Sequence, residues 1–225
     1  MAKLAVIGKD VSQSTSPQMH LFIARELGLE MTYERISVDE SAFEERIEKL
    51  LKEYDGLNVT IPYKLSVISR LKKTEGDATA FGAVNTVLAS TLTGYNTDGL
   101  GFMQMLGAEG VDASGKEALV LGAGGAGRSV AKKLADCGAR VEVYDRNAEN
   151  SRGVASEFNG VEAVGEVLPK KRYLIINATG VGMHKTVGIS PVGEEILAGC
   201  EVAVDLIYVP EKSEFLRLAE GLGKK

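Results

Sequence analysis

The sequence contains no tryptophan and only two cysteines and two histidines among 225 residues, and this scarcity excludes several classes of protein. Two isolated thiols cannot build the disulfide framework of a small secreted domain, so we expect Cys137 and Cys200 to be small buried apolar residues. The few cysteines and histidines form no cluster with metal-ligand spacing. The sequence therefore predicts no metal site.

Long apolar runs and an excess of positive charge are also missing. No stretch approaches the roughly 20 apolar residues that span a bilayer, and the first residues enter a strand pattern rather than a signal peptide. The net charge of −5 argues against a nucleic-acid partner, which normally needs a basic surface. We therefore expect a cytoplasmic protein with no membrane or nucleic-acid partner, built as one large domain or two smaller ones.

The chain does contain a glycine turn between a strand pattern and a helix pattern. Gly122, Gly124 and Gly127 follow the apolar run 118–121 with GxGxxG spacing. In such a turn the first glycine bends the chain, the second lets the backbone approach a pyrophosphate, and the third lets the helix pack on its strand. A helix to residue 137 and a strand over 140–144 complete a βαβ unit. This context favours dinucleotide binding over a purely structural turn.

Asp145 ends the second strand of that unit, about 20 residues after the glycines, where the fingerprint requires an acid for the adenosine ribose. Further along, the strand pattern 172–178 ends in the glycine loop 179–183. Open α/β sheets bind ligands at the carboxyl ends of strands, so this loop is a second candidate for ligand contact.

The N-terminal half alternates strand and helix patterns, βαβαβα, which predicts a parallel sheet with helices on its faces. Ser16 before Pro17 is expected to cap the first helix, and Asp39 the second. Pro62 is expected to start a third helix. Ser14, in the same loop as Ser16, fits a ligand role no better than a structural one.

Lys64 and Asp98 each have a plain structural explanation from position alone. A lysine near the start of a helix opposes the helix dipole, and an exposed surface lysine is a better reading of Lys64 than a catalytic one. Asp98 is placed to cap a helix over 99–106. Asn85 lies in a strand pattern over 83–90.

Seven motifs, taken together and in order, resemble the shikimate dehydrogenase family. They are SQSTSP at 12–17, NVTIPYK at 58–64, GAVNT at 82–86, GYNTDGLG at 94–101, GAGGAGR at 122–128, NATGVGM at 177–183 and DLIYVP at 205–210. They cover nearly the whole chain and are far more specific than the glycine fingerprint alone. The resemblance implies an α/β protein with an N-terminal α/β substrate-binding catalytic domain, 1–98. A Rossmann-type, doubly wound dinucleotide-binding domain, 99–225, would follow, with the active site in the cleft between them.

The activity implied by this resemblance is the reversible, NADP-dependent reduction of 3-dehydroshikimate to shikimate, a step of aromatic amino-acid biosynthesis. A quinate or shikimate dehydrogenase that uses NAD is the nearer alternative, and a non-catalytic nucleotide sensor the more distant one. The presence of both Lys64 and Asp98 argues against the sensor. The protein is expected to be a monomer or a homodimer.

The resemblance also implies roles for individual residues. Lys64 and Asp98 would be the catalytic pair and would contact the substrate. Ser14, Ser16 and Tyr208 would hold the substrate carboxylate, and Asn58, Thr60 and Asn85 would hold or shape its hydroxyl side. The residues expected to bind the cofactor are Gly122, Ala123, Gly124, Gly125, Ala126, Gly127, Asp145, Arg146, Asn147, Thr179, Gly182 and Met183.

Two features depart from the family pattern. Asp145 stands where many NADP-using members have a neutral asparagine, although Arg146 is kept. The family's chain also continues past the position of Lys225 into helices that return to the substrate domain and bring a glutamine to the substrate. The sequence is therefore expected to be truncated, or to bind its substrate with fewer contacts.

Overall fold

Two β-sheets, one in each half of the chain, organise the fold. A computed structural model describes all residues from Met1 to Lys225, and its chain divides into an N-terminal unit, Met1–Thr97, and a C-terminal unit, Asp98–Lys225. None of the helices has both the length and the apolar character needed to cross a membrane.

The N-terminal unit contains a six-stranded mixed sheet. Its strands are β1 (Ala2–Gly8), β2 (Met31–Ser37), β3 (Gly56–Val59), β4 (Lys73–Thr74), β5 (Thr86–Leu88) and β6 (Thr93–Tyr95). Its α-helices are α1 (Ser16–Glu26), α2 (Phe43–Glu53) and α3 (Asp77–Phe81), and 3-10 helices cover Glu40–Ala42 and Ser66–Arg70. The strand order is β2-β1-β3-β5-β6-β4.

The prediction of a parallel sheet in this unit is right for five of its six strands and wrong for β5. β1 pairs in parallel with β2 and β3, whereas β5 is antiparallel to both β3 and β6. β5 and β6 are joined by the short turn 89–92, in which the Leu92 amide donates to the Ala89 carbonyl. Only antiparallel neighbours can be joined by so short a connection.

The predicted helix caps of this unit are wrong. Ser16 is the first residue of α1, and Thr15 occupies the cap position without a side-chain hydrogen bond. The Ser16 amide instead donates to the Ser14 hydroxyl at 3.3 Å, a local bond that competes with capping. Asp39 precedes the 3-10 helix Glu40–Ala42 rather than α2, and its side chain makes no cap hydrogen bond.

The α-helix predicted after Pro62 is also wrong, because a buried tyrosine controls that segment. The Tyr63 side chain is 2% exposed, its ring stacks on Phe43 at 4.1 Å, and its hydroxyl donates to the Val38 carbonyl. Burial raises the pKa of this hydroxyl, which stays a neutral donor. The chain therefore makes a tight turn around Tyr63 before the 3-10 helix Ser66–Arg70.

The C-terminal unit contains a five-stranded, fully parallel sheet. Its strands are β7 (Glu117–Leu121), β8 (Arg140–Tyr144), β9 (Val161–Ala163), β10 (Leu174–Asn177) and β11 (Val202–Asp205). Its α-helices are α4 (Asp98–Ala108), α5 (Gly125–Asp136), α6 (Ala148–Glu157), α7 (Glu194–Leu197) and α8 (Glu214–Gly221), and a 3-10 helix covers His184–Thr186. The strand order is β11-β10-β7-β8-β9.

Alternate residues of the central strands face two separate apolar cores. In β7, Ala118 and Val120 belong to one core with residues of α4, α5 and α6, whereas Leu119 and Leu121 belong to another with residues of α7 and α8. Burying each large aliphatic side chain stabilises the fold by roughly 1.5–3 kcal/mol. Helices on both faces of a parallel sheet make this unit doubly wound, as the sequence predicted, and the predicted βαβ unit is β7, α5 and β8.

Candidate active site

The ends of four adjacent strands form one row in the C-terminal unit. Tyr144, Leu121, Asn177 and Asp205 are the last residues of β8, β7, β10 and β11, and neighbouring members of this row are register partners. The chain order of the sheet reverses between β7 and β10. Open α/β sheets bind ligands beyond the carboxyl ends of the strands at such a reversal.

The three glycines of the turn have different surroundings at this edge. Gly122 has a φ of +100°, and a Cβ there would lie 2.9 Å from the Ala178 carbonyl oxygen. A Cβ on Gly127 would lie 1.9 Å from the Gly122 carbonyl oxygen. A Cβ on Gly124 would meet nothing within 4 Å. Gly122 and Gly127 are thus required by the fold, while Gly124 leaves open surface before α5.

That open surface fits a cofactor phosphate. α5 is 12 residues long, its cap residue is Gly124, and its first turn begins with Gly125, Ala126 and Gly127. The first N–H groups of an α-helix have no partner within the helix and carry a partial positive charge, so they attract anions. The small side chains of this turn let a pyrophosphate approach the backbone closely.

Asp145 lies between the glycine turn and α6. One carboxylate oxygen accepts the Ala123 amide at 2.8 Å, and the other accepts the Asn147 amide at 2.9 Å. Asn147 caps α6, because its side-chain oxygen accepts the Glu149 amide at 3.1 Å. Arg146 is exposed between them. The sequence predicted Asp145 at this edge, but not that its carboxylate also holds the glycine turn.

The loop 178–183 is built on the side chain of Asn177, which is fully buried. The Asn177 amide oxygen accepts the backbone N–H and the hydroxyl of Thr179, at 3.0 and 2.6 Å. Its nitrogen donates to the Val181 carbonyl at 3.1 Å. Gly182 follows with a φ of +113°, and Met183 is half-buried. Thr179 therefore lies beside Gly122 of the glycine turn, and Gly182 lies against Ile207.

A polar network in the N-terminal unit joins several of the residues expected to contact substrate. The Asn58 side-chain nitrogen donates to the Asn85 carbonyl at 3.3 Å, and its oxygen accepts the Tyr33 hydroxyl at 2.5 Å. The Asn85 side chain exchanges two hydrogen bonds with Thr97, at 2.9 and 3.1 Å. Asn85 lies just before β5 rather than in it, so its side chain is held by this network instead of by strand alternation.

Lys64 and Thr60 lie in the tight turn around Tyr63. The Tyr63 amide donates to the Thr60 carbonyl at 2.9 Å, and the Val84 amide donates to the Lys64 carbonyl at 2.8 Å. The Lys64 backbone is thus attached to the residue before Asn85, and Lys64 itself is half-buried. Asp98 is the first residue of α4, directly after Thr97. Lys64 and Asp98 belong to different units of the chain.

The serine loop before α1 is held by an arginine that the sequence did not single out. The Ser14 hydroxyl donates to the Ser16 hydroxyl at 3.1 Å. The Arg35 guanidinium donates to the Ser14 carbonyl at 2.7 Å and to the Gln18 side chain at 2.7 Å. A cation at this loop suits a carboxylate ligand, because guanidinium and hydroxyl groups both donate to carboxylate oxygens.

The remaining predicted positions are placed as follows. Tyr208 is 57% exposed, next to the buried Ile207 beyond the end of β11. Cys200 is buried and Cys137 is half-buried, and neither forms a disulfide. No group of three or more His, Cys, Asp or Glu side chains is arranged to hold a metal ion.

Sequence reasoning missed several residues of these networks, three of which lie inside the motifs. Asn177 and Asp205 end neighbouring strands and pair with each other, and Thr97 holds Asn85. A polar residue at the end of an apolar strand was the available signal for Asn177 and Asp205. Arg35 and Tyr33 lie in β2 and gave no such signal.

Family models match both units of the chain. Residues 6–87 match the shikimate dehydrogenase substrate binding domain, and residues 96–189 match the NAD binding domain of the D-isomer specific 2-hydroxyacid dehydrogenases. A curated relative, shikimate dehydrogenase (NADP(+)) from Thermus thermophilus, is 39% identical over 227 residues, covering 100% of this chain and 85% of the relative.

Solved structures match over the same extent. Shikimate dehydrogenase 1 from Peptoclostridium difficile has a TM-score of 0.92 at 33% identity, covering 100% of this chain and 84% of that chain. Shikimate 5-dehydrogenase from Thermus thermophilus, solved in complex with NADP(H) and shikimate, has a TM-score of 0.89 at 39% identity, covering 100% of this chain and 86% of that chain.

Proposed function

The chain belongs to the shikimate dehydrogenase family, and we propose that it catalyses the reversible, NADP-dependent reduction of 3-dehydroshikimate to shikimate. One observation carries this proposal: the whole chain matches an enzyme solved with both NADP(H) and shikimate. The strand-end row with its glycine turn supports the cofactor half of the activity, and the network around Asn85 and Lys64 supports the substrate half.

Bound NADPH would supply the hydride that reduces the substrate ketone. Negative charge then develops on the ketone oxygen, and we assign Lys64 to donate a proton to that oxygen and to stabilise its charge. Asp98 would orient the Lys64 amine and accept a hydrogen bond from a substrate hydroxyl. The hydrogen bond from the Val84 amide to the Lys64 carbonyl supports a fixed position for the Lys64 backbone within its own unit.

We assign the substrate carboxylate to Ser14, Ser16 and Tyr208. The first two hydroxyls lie 3.1 Å apart in a loop held by Arg35, which suits bidentate binding of a carboxylate. Thr60, Asn58 and Asn85 would contact the ring hydroxyls. Tight hydrogen bonding of the Asn58 and Asn85 side chains within the unit fixes which donors and acceptors remain for the substrate.

Cofactor choice depends on the opposite charges of Asp145 and Arg146. A carboxylate accepts hydrogen bonds from the ribose hydroxyls of NAD and repels the 2′-phosphate of NADP, whereas an arginine attracts that phosphate. Asn147 keeps its side-chain nitrogen for the same phosphate, since its oxygen caps α6. We therefore expect NADP to be used, with weaker discrimination against NAD than an asparagine at position 145 would give.

Asp145→Asn is expected to shift the ratio of kcat/KM values toward NADP by about 5- to 30-fold, or about 1 to 2 kcal/mol. The substitution removes the repulsive charge but keeps one oxygen for the Ala123 amide. Initial rates with NADP and with NAD at saturating shikimate give the ratio. Asp136→Asn, on the far end of α5, is the matched control. An unchanged ratio in Asp145→Asn would mean that the Asp145 carboxylate does not face the ribose.

The activity itself is tested by initial rates with shikimate and with quinate, each with NADP and NAD. Shikimate with NADP is expected to give the highest kcat/KM. A higher kcat/KM for quinate with NAD would favour the alternative, a quinate dehydrogenase. The charge of Asp145 supports that alternative because it favours NAD. Binding of NADP without turnover of either acid would favour a nucleotide sensor.

We further propose that the enzyme works in the cytoplasm as a monomer or a homodimer, without a membrane or nucleic-acid partner. The net charge of −5 is unfavourable for binding nucleic acid or an anionic lipid surface. Light scattering at several protein concentrations distinguishes the monomer from the homodimer.

A further inference from the structure

Asp205 is a half-buried carboxylate at the strand-end row to which no function has been assigned above. It is the last residue of β11 and the register partner of Asn177, the last residue of β10. No lysine, arginine or histidine forms an ion pair with it. Its contacts are instead three hydrogen bonds, one from Asn177 and two from the segment 206–213.

One carboxylate oxygen of Asp205 accepts the Asn177 side-chain nitrogen at 3.0 Å and the Ile207 amide at 2.9 Å. The other accepts the Ser213 hydroxyl. A carboxylate is the only protein side chain that accepts at this many sites without offering a proton of its own. Asp205 therefore holds together groups that all donate.

On one side, these contacts control the loop 178–183. Asn177 is the residue on which that loop is built, and its nitrogen is shared between Asp205 and the Val181 carbonyl. Without Asp205 the Asn177 nitrogen would keep only the Val181 carbonyl, which belongs to the loop itself, as its acceptor. The loop, including Thr179 on the Asn177 oxygen, would then lose its attachment to β11 through this side chain.

On the other side, the contacts control the segment 206–213. Ile207 is bound through its amide, and Ser213 is 1% exposed and caps α8 by accepting the Leu216 amide at 3.3 Å. Both ends of the stretch that carries Tyr208 are thus attached to the same carboxylate. A Cβ on Gly182 would lie 3.2 Å from Ile207, so the two segments are also in close contact.

We propose that Asp205 is a positioning residue that couples the cofactor loop 178–183 to the substrate segment 206–213. This inference rests on the proposed function, because it takes Gly182 and Met183 as cofactor contacts and Tyr208 as a contact of the substrate carboxylate. Asp205 itself need touch neither ligand. Its role is to fix the spacing of the two segments before either ligand arrives.

Burial opposes the ionisation of the Asp205 carboxyl. Burial raises the pKa of Asp205 above the ordinary value of 3.8, against the opposing effect of its three hydrogen bonds. A raised pKa means that the folded protein binds the proton more readily than the unfolded chain does, so stability is lost as the pH rises through the unfolded and then the raised pKa. Asparagine keeps one acceptor oxygen and does not titrate.

The test compares Asp205→Ala with Asp205→Asn. Asparagine can still accept from Asn177 and Ile207 and can donate to Ser213, so its KM values are expected to stay within about 3-fold of the natural enzyme. Alanine removes all three contacts, and KM for both shikimate and NADP is expected to rise about 10-fold, with a smaller change in kcat. Asp112→Ala, an exposed acid that accepts the Ser114 amide, is the matched control and is expected to change neither.

Hydrogen–deuterium exchange without ligands gives a readout that does not depend on the activity. Asp205→Ala is expected to speed exchange in both 178–183 and 206–213, whereas Ser213→Ala should speed it in 206–213 alone. If Asp205→Ala does not fold, Asp205→Ser is measured instead, since its short side chain cannot reach all three donors. Natural exchange and KM values in the alanine or serine variant would overturn the proposal. Failure of the proposed function itself would be seen separately, because the natural enzyme would then not turn over shikimate.

Discussion

Replacing Lys64 with alanine is expected to lower kcat for shikimate oxidation by about 10²- to 10⁴-fold, the usual contribution of a general acid or base, while KM changes far less. In the oxidation direction the Lys64 amine accepts the proton that leaves the substrate hydroxyl. The loss falls on kcat because the interaction with the reacting oxygen strengthens as charge develops. Steady-state rates over a range of shikimate concentrations measure both constants.

Two further variants separate the chemistry of Lys64 from its place in the fold. Lys72→Ala removes an exposed lysine from the same unit and is expected to leave kcat unchanged. Lys64→Arg keeps a positive charge but not a readily transferred proton, so it should recover little activity. A folded Lys64→Ala enzyme with kcat within a few fold of the natural enzyme would contradict the catalytic assignment.

The βαβ unit could be predicted from the sequence because its signals are local. An apolar run, three spaced glycines and a helical period lie within about 30 residues, and each constrains the backbone directly. The structure has β7, α5 and β8 in that place, with Gly122 at a φ of +100°. Asp145 was predicted at the end of the second strand for the same reason, and it directly follows Tyr144, the last residue of β8.

The errors in the N-terminal unit arise where distant contacts override local patterns. Pro62 is a good first residue for a helix, but the burial of Tyr63 against Phe43 turns the chain before a helix can form. The direction of β5 depends on a hairpin that the apolar pattern 83–90 does not encode. A period of two residues is the same for parallel and antiparallel strands.

The hydrogen-bond partners at the strand ends were beyond sequence reasoning for a related reason. Asp205 and Asn177 are 28 residues apart, and Arg35 and Ser14 are 21 apart. Such pairs follow from sheet order and register, which place the ends of β10 and β11 side by side. Polar residues can be recognised in a motif, but their partners appear only when the strands are arranged in space.

The second large effect is expected at the glycine turn, where Gly127→Ala and Gly124→Ala should act on different properties. Alanine normally stabilises a helix relative to glycine by up to about 1 kcal/mol. At Gly127, however, the added methyl would lie 1.9 Å from the backbone oxygen of Gly122, and backbone cannot easily move aside. We expect Gly127→Ala to lose more than about 3 kcal/mol of stability and to lower Tm by roughly 10 °C.

Gly124→Ala is expected to leave Tm nearly unchanged, because its methyl meets nothing within 4 Å and its φ of −73° suits any residue. The same methyl would occupy the surface that a cofactor pyrophosphate approaches. Overpacking of this kind costs about 1–3 kcal/mol, so the Kd for NADP should rise by about 5- to 150-fold. Thermal melts without ligand and titration calorimetry with NADP measure the two properties. Gly153→Ala is the control, because Gly153 lies in α6 with open space around its Cβ position. It is expected neither to lower Tm nor to raise the Kd for NADP. If Gly124→Ala binds NADP as tightly as the natural chain does, the pyrophosphate does not approach the backbone at Gly124.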